Sequence, residues 1–226
     1  MKNFNKEKIK SSLICGILGC ICYGTGDWLM IYGDSNSSSK LIFLTKGTAS
    51  IPQWRYSISL FLSFPGIILY GIALFAIEDF IYEEKNKRIY HYLNIFGLTS
   101  WIALHLFFIM ILTLFSWMNK NGYSSQAIPI CEGLYSQLSW FVILCEAIIV
   151  PVFIYWFYLQ IKGKTIFSKG FAFTNVIFIF IILKTIYKLF PNNAYSLGFL
   201  NGLMSESMVI WFGFMLNFIR KKNIQN

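Results

Sequence analysis

Six stretches of this chain are long and apolar enough to cross a bilayer, whose hydrocarbon core of roughly 30 Å takes a helix of about 20 residues. They run approximately over 12–32, 56–77, 92–118, 136–160, 170–190 and 195–219. One soluble core cannot bury six such segments in 226 residues. The composition agrees, with 56% hydrophobic, 19% aromatic and 13% charged residues, against about 25% charged in ordinary globular chains. Disorder requires low hydrophobicity and is excluded. The five cysteines, Cys15, Cys20, Cys22, Cys131 and Cys145, are too few for a disulfide scaffold of this length, and four lie inside apolar runs. The expected fold class is all-α: a polytopic membrane protein with six transmembrane helices in one bundle, forming a single domain over 1–226.

Lys2, Lys6, Lys8 and Lys10 precede the first span as they would a signal peptide, but no small-residue cleavage site follows. Ile17-Leu18-Gly19-Cys20 imitates a lipoprotein box, yet the apolar run continues past Cys20. Orientation follows the excess of lysine and arginine in cytoplasmic loops. Lys2, Lys6, Lys8, Lys10, Lys85, Lys87, Arg88, Lys162, Lys164, Lys169, Arg220, Lys221 and Lys222 fall on one side; Lys40, Lys46, Arg55, Lys120 and Lys188 fall on the other. Both termini are therefore expected in the cytoplasm, with the protein integral to a bacterial cytoplasmic membrane. The net charge of +9 is spread over four cytoplasmic segments, unlike the single basic face of a nucleic-acid binder. Membrane lipids are the expected partners, and no nucleic acid is.

The longest external connection, 33–55, opens on the polar run Asp34-Ser35-Asn36-Ser37-Ser38-Ser39 and turns apolar at Leu41-Ile42-Phe43-Leu44. Four apolar residues cannot span, so this patch either lies on the membrane surface or folds over the bundle. Trp54, Arg55 and Tyr56 read as an interfacial anchor. The mixed-sign segment Glu83 to Arg88 reads as a solvated turn, and Glu132 as part of an external loop.

An ionisable side chain inside a span costs on the order of 2.5 to 3.5 kcal/mol unless it is paired or functional. Five qualify: Asp27, His105, Glu146, Lys184 and Glu206. Residues three or four apart share one face of a helix. Gly16, Cys20 and Gly24 recur at four, a seam of small residues that admits a neighbouring helix, and Asp27 follows by three. Gly198, Gly202 and Glu206 repeat the pattern in the last span, beside Asn201 and Ser205. Gly97, Trp101 and His105 keep the same step, and Ser139 precedes Glu146 by seven. The phases aim Asp27, His105, Glu146, Asn201 and Glu206 at one ligand-binding region in the external half, to which the resemblance described below adds Trp28. Packing is the simpler role for any one of these residues, but helix glue alone could be made from Ser, Thr and Asn.

A zinc site of His105, Glu146 and Glu206 has the right donors but no paired-His or HExxH spacing, and no metal or cofactor is expected. Metal-free hydrolysis needs two carboxylates with separated acidities, for which Asp27, Glu146 and Glu206 qualify; the hydrolase reading takes Asp27 and Glu206 as the pair, with His105 as auxiliary. No G-x-S-x-G element exists for a serine nucleophile. Gly24-Thr25-Gly26 lacks the strand and third glycine of a phosphate loop, and Cys20-Ile21-Cys22 lacks redox spacing.

The element Gly24-Thr25-Gly26-Asp27-Trp28-Leu29-Met30, followed by Trp54-Arg55, resembles the opening of an uncharacterised multi-pass bacterial membrane-protein family, a domain of unknown function. Weaker similarity covers Asn201 to Trp211. The resemblance implies six spans, draws interest to Asp27 and Trp28, and carries no activity. Gly26-Asp27 is also similar, over two residues, to the lysoplasmalogenase-like membrane hydrolases. Three readings follow: binding or transport of a small or lipid-like ligand in a buried polar pocket, an intramembrane lipid hydrolase with paired carboxylates, and an accessory subunit of a membrane complex.

Overall fold

A computed structural model describes residues 5–221. Seven α-helices follow in order: α1 (Lys6–Ile31), α2 (Lys46–Ser50), α3 (Gln53–Ala76), α4 (Glu84–Lys120), α5 (Ser124–Ile161), α6 (Val176–Tyr187) and α7 (Ala194–Lys221). Short 3-10 turns occupy Ile77–Phe80 and Lys169–Thr174. Among the described residues there is no strand, only one antiparallel bridge between Ile81 and Thr165.

α1 is the central helix, packed against α3 on one flank and α7 on another. Lipid tails give helices no hydrophobic reason to associate, so close approach through small residues must supply the attraction. A Cβ on Gly19 would stand 2.6 Å from both Gly66 O and Tyr70 N, and one on Gly16 would stand 2.4 Å from the Ala73 side chain. Gly24 faces Ser205 of α7. The expected seam of Gly16 and Gly24 is thus divided between two neighbours. A second pair, Gly19 and Gly26, supplies the closest approach to α3, and Ser59 Oγ donates to Gly26 O at 2.9 Å.

α4 and α5 form an antiparallel hairpin closed by Gly122, whose φ of +86° is a conformation that favours glycine. α4 has 37 residues, about 55 Å at 1.5 Å per residue, well beyond the thickness of a hydrocarbon core. α5 begins twelve residues before its expected start, because Ala127 and Cys131 bury against α4 instead of entering solvent. Glu132 consequently lies on this helix and not in a loop. Residues 84–88, expected as a solvated turn, are the first turn of α4.

The connection between α1 and α3 folds over the hairpin. Phe43 and Leu44 are buried, Phe43 packing edge-on against Phe108, while Ile42 remains exposed. Thr45 and Thr48 form a reciprocal capping box that starts α2. Ser116 Oγ donates to Ile51 O at 3.0 Å, and Lys120 reaches the same carbonyl. Glu132 accepts from Ser39 Oγ at 2.6 Å and Lys40 N at 2.8 Å, fastening the serine run to α5.

One of the six expected spans is not a continuous helix of spanning length. Five helices have the length and hydropathy of a span, whereas the segment expected at 170–190 is divided into a 3-10 turn and the 12-residue α6. Asn175 makes the break: its side chain caps α6 by accepting from Ile177 N and donates to Phe153 O. α6 rises about 18 Å. The chain nevertheless passes from one end of the bundle to the other here, since Phe171 packs on Phe218 while Tyr187 stacks on Phe199. α7 runs antiparallel to α1, with Gly16 beside Phe212 and Gly198 beside Tyr32. The start of α1 and the end of α7 therefore share one end of the bundle. An aromatic core including Trp156, Trp211, Phe153 and Phe212 fills that half.

The same substitution at two glycines tests the α1–α3 contact. Gly19→Ala places a methyl against backbone atoms and should destabilise by about 1–3 kcal/mol or more, the scale of core overpacking. Gly213→Ala, where nothing lies within 4 Å, should leave the thermal midpoint of the detergent-solubilised protein unchanged. Equal midpoints for the two variants would contradict the packing described.

Candidate functional site

Two polar clusters flank the last two turns of α1, and each uses one of its adjacent residues Asp27 and Trp28. Asp27 pairs with His105 of α4, Nδ1 lying 3.2 Å from Oδ1. The His105 side chain is 3% exposed and that of Asp27 13%. The Tyr23 ring lies 4.8 Å from the imidazole, centroid to centroid. A neutral imidazole that donates from Nδ1 carries a bare Nε2. Nε2 is buried and has no hydrogen-bond partner among the described residues. The dyad therefore joins one carboxylate oxygen to one ring nitrogen and leaves the other ring nitrogen buried and unpaired.

Glu206 of α7 belongs to the second cluster. Tyr187 donates to its Oε2 at 2.7 Å. The Trp28 indole nitrogen approaches the carboxylate across Gly202 without completing a hydrogen bond. A Cβ on Gly202 would stand 2.6 Å from Trp28 Nε1 and 3.3 Å from Glu206 Oε1, so this convergence requires glycine there. Phe199 contacts both rings, edge-on to Trp28 with centroids at 4.3 Å and stacked on Tyr187 at 5.1 Å. The cluster lines a pocket of about 430 Å³ between α1, α6 and α7. Its wall is otherwise mainly apolar, and its rim includes the exposed Ile21, Thr25 and Ile210, so it opens on the flank of the bundle.

The other expected site residues lie elsewhere. Glu146 is exposed on the outer face of α5 between Ile143 and Val150. A straight helical phase from Ser139 misplaces it because Val142, Cys145 and Ile149 form the buried stripe. Asn201 donates to Leu197 O on its own helix at 2.8 Å and does not line the pocket. Lys184 is exposed, its ammonium 5.7 Å from the Phe180 ring centroid. His105, Glu146 and Glu206 do not meet, and among the described residues no three His, Cys, Asp or Glu side chains gather as metal ligands.

Sequence reasoning missed three participants. Tyr187 sits at the end of α6, whose shortness brings its hydroxyl level with Glu206. Arg55 donates to Tyr32 O at 2.7 Å and Trp28 O at 3.4 Å, where a cation suits the carbonyl end of α1. The two separated parts of the Gly-Asp-Trp and Trp-Arg resemblance thus touch. At the opposite end of the bundle Glu78, 4% exposed, accepts from Asn94 at 2.9 Å and contacts His91 at 3.1 Å. The step of three between His91 and Asn94 was a readable signal, hidden by starting that helix at 92.

If the Asp27–His105 contact is energetically real, a double-mutant cycle of Asp27→Asn and His105→Gln should show a coupling of about 0.5–3 kcal/mol in detergent unfolding, the range for residues in direct contact. Strict additivity would mean that the two groups act independently.

No curated protein and no solved structure matches the chain. The profile of one family covers almost all of it, residues 1–223. The chain belongs to the family of unknown function DUF6796.

Proposed function

We propose that this chain is an integral protein of a bacterial cytoplasmic membrane, and that it binds or carries a small or lipid-like ligand in the lateral pocket of Trp28, Tyr187 and Glu206. One observation supports the ligand most directly: a carboxylate in the wall of an otherwise apolar pocket whose 430 Å³ falls within the usual range for small-molecule sites. In the proposed orientation both termini are cytoplasmic, and 169–187 completes a sixth passage through the bilayer. That arrangement is favoured by basic residues at 84–88, 162–169 and 220–221, which belong to the end of the bundle shared by the two termini. The pocket then lies in the external half.

The hydrolase reading draws less support, because Asp27 and Glu206 belong to separate clusters with separate partners. The accessory-subunit reading rests on Glu146, a carboxylate exposed on an apolar helix face that a partner helix would relieve.

Single cysteines introduced at Ser35 to Ser39 should react with an impermeant maleimide added to intact cells. Reaction only after permeabilisation would reverse the orientation. Function is separated by incubating purified protein with a native lipid extract and following bound and free lipids by mass spectrometry. Binding predicts a retained species, depleted at least several-fold in Glu206→Gln, with no new product. A cleaved lipid formed by wild type and abolished in both Asp27→Asn and Glu206→Gln would establish hydrolysis instead. Retention of the same lipids by wild type and Glu206→Gln would remove the pocket reading and leave the accessory role.

A further inference from the structure

Glu206 has a hydroxyl partner but no basic one: among the described residues no lysine, arginine or histidine pairs with it. Its contacts are the Tyr187 hydroxyl, which donates to one oxygen, and the Trp28 indole edge, and neither is a cation. The nearest basic residue along α6, Lys184, stands over Phe180 and does not enter the pocket. Among the described residues the protein places no cation of its own at this carboxyl.

The surrounding side chains suit a cation from outside. Trp28, Tyr187 and Phe199 all line the pocket beside Glu206 and touch one another in sequence. Aromatic faces attract ammonium groups through the ring quadrupole, most strongly where water is excluded, and recognition of quaternary ammonium by several rings is a recurrent use of this attraction. Toward the flank the lining becomes aliphatic at Ile21 and Ile210, both exposed on the outside of the bundle. A ligand held by its head at Glu206 would lay an alkyl chain over these residues.

From this juxtaposition of one unpaired carboxylate, three aromatic rings and an aliphatic exit, we infer that the ligand of the lateral pocket is an amphiphile with an ammonium head. The inference rests on the lateral-pocket reading and narrows it to one chemical class. The head enters between α1 and α7 near Gly202, the chain remains on the flank, and no proton or bond needs to be exchanged.

The probe is decyltrimethylammonium, compared with its uncharged isostere in which carbon replaces the head nitrogen. Both are titrated by calorimetry against the full chain in nanodiscs of phosphatidylglycerol. Wild type should bind the ammonium probe about tenfold or more tightly than the isostere, as expected for a desolvated cation–π and ion-pair site. Glu206→Gln should bring the two affinities together, and Phe199→Leu should weaken the ammonium probe alone. Equal affinity of wild type for both probes, lost on Gly202→Leu, would overturn the ammonium assignment while preserving the pocket. Failure of both probes to bind would overturn the pocket as well. The wild-type comparison stands even if a variant fails to fold. Competition by phosphatidylethanolamine added to the nanodisc would identify a phospholipid head as the source of the amine; binding undiminished by it would point to a free single-chain amphiphile.

Discussion

The approach of α1 to α3 is the contact on which the rest of the bundle hangs. At Gly19 and Gly66 the two backbones meet with no side chain between them. In water such an approach would be one option among several, but in lipid it is a principal source of helix attraction, since apolar side chains gain nothing by leaving hydrocarbon for one another. Once α1 is held there, its other flank offers Gly24 to Ser205, and its last turns project Asp27 toward α4 and Trp28 toward α7. The two polar clusters inherit their separation from this one helix: adjacent residues are turned by about 100° about its axis, so neighbours in sequence serve different partners.

Each ionisable group of the interior is met by a different chemical device. Asp27 is met by an imidazole, Glu206 by a phenol and an indole edge, and Glu78 by an amide and a second imidazole. None is answered by lysine or arginine. Arg55 is spent instead on the carbonyls that end α1. The bundle thereby tolerates three acidic side chains without a strong internal ion pair, and the consequence differs by location. At Glu78 the neighbours satisfy both oxygens, whereas at Glu206 one side of the group faces a cavity.

Membership of the helical class was legible in hydropathy alone, and the phase that turns Asp27, His105 and Glu206 toward neighbouring helices was legible in small residues spaced by four, which mark a face that another helix must touch. What escaped was governed by contacts between segments distant in sequence. α6 is shortened by Asn175, whose amide is claimed by Phe153 of another helix. α5 starts early because Cys131 finds a buried place against Ile111, twenty residues away. Glu146 was assigned inward on the evidence of one serine, when the buried stripe of its helix runs through Cys145 and Ile149. Apolar residues around such a position are uninformative about facing, since lipid and protein interior select the same side chains.

The position of the pocket's rim bears on how a ligand of the proposed kind would be supplied. The rim of the pocket includes Ile21, Thr25 and Ile210, exposed on the flank of the bundle. On the proposed reading, a molecule arriving there comes from within a leaflet, so its activity is set by its mole fraction in the bilayer and not by its concentration in water. Occupancy then follows membrane composition directly. A site of modest intrinsic strength suffices for a constituent of the leaflet, while a scarce aqueous solute would first have to partition before it could compete.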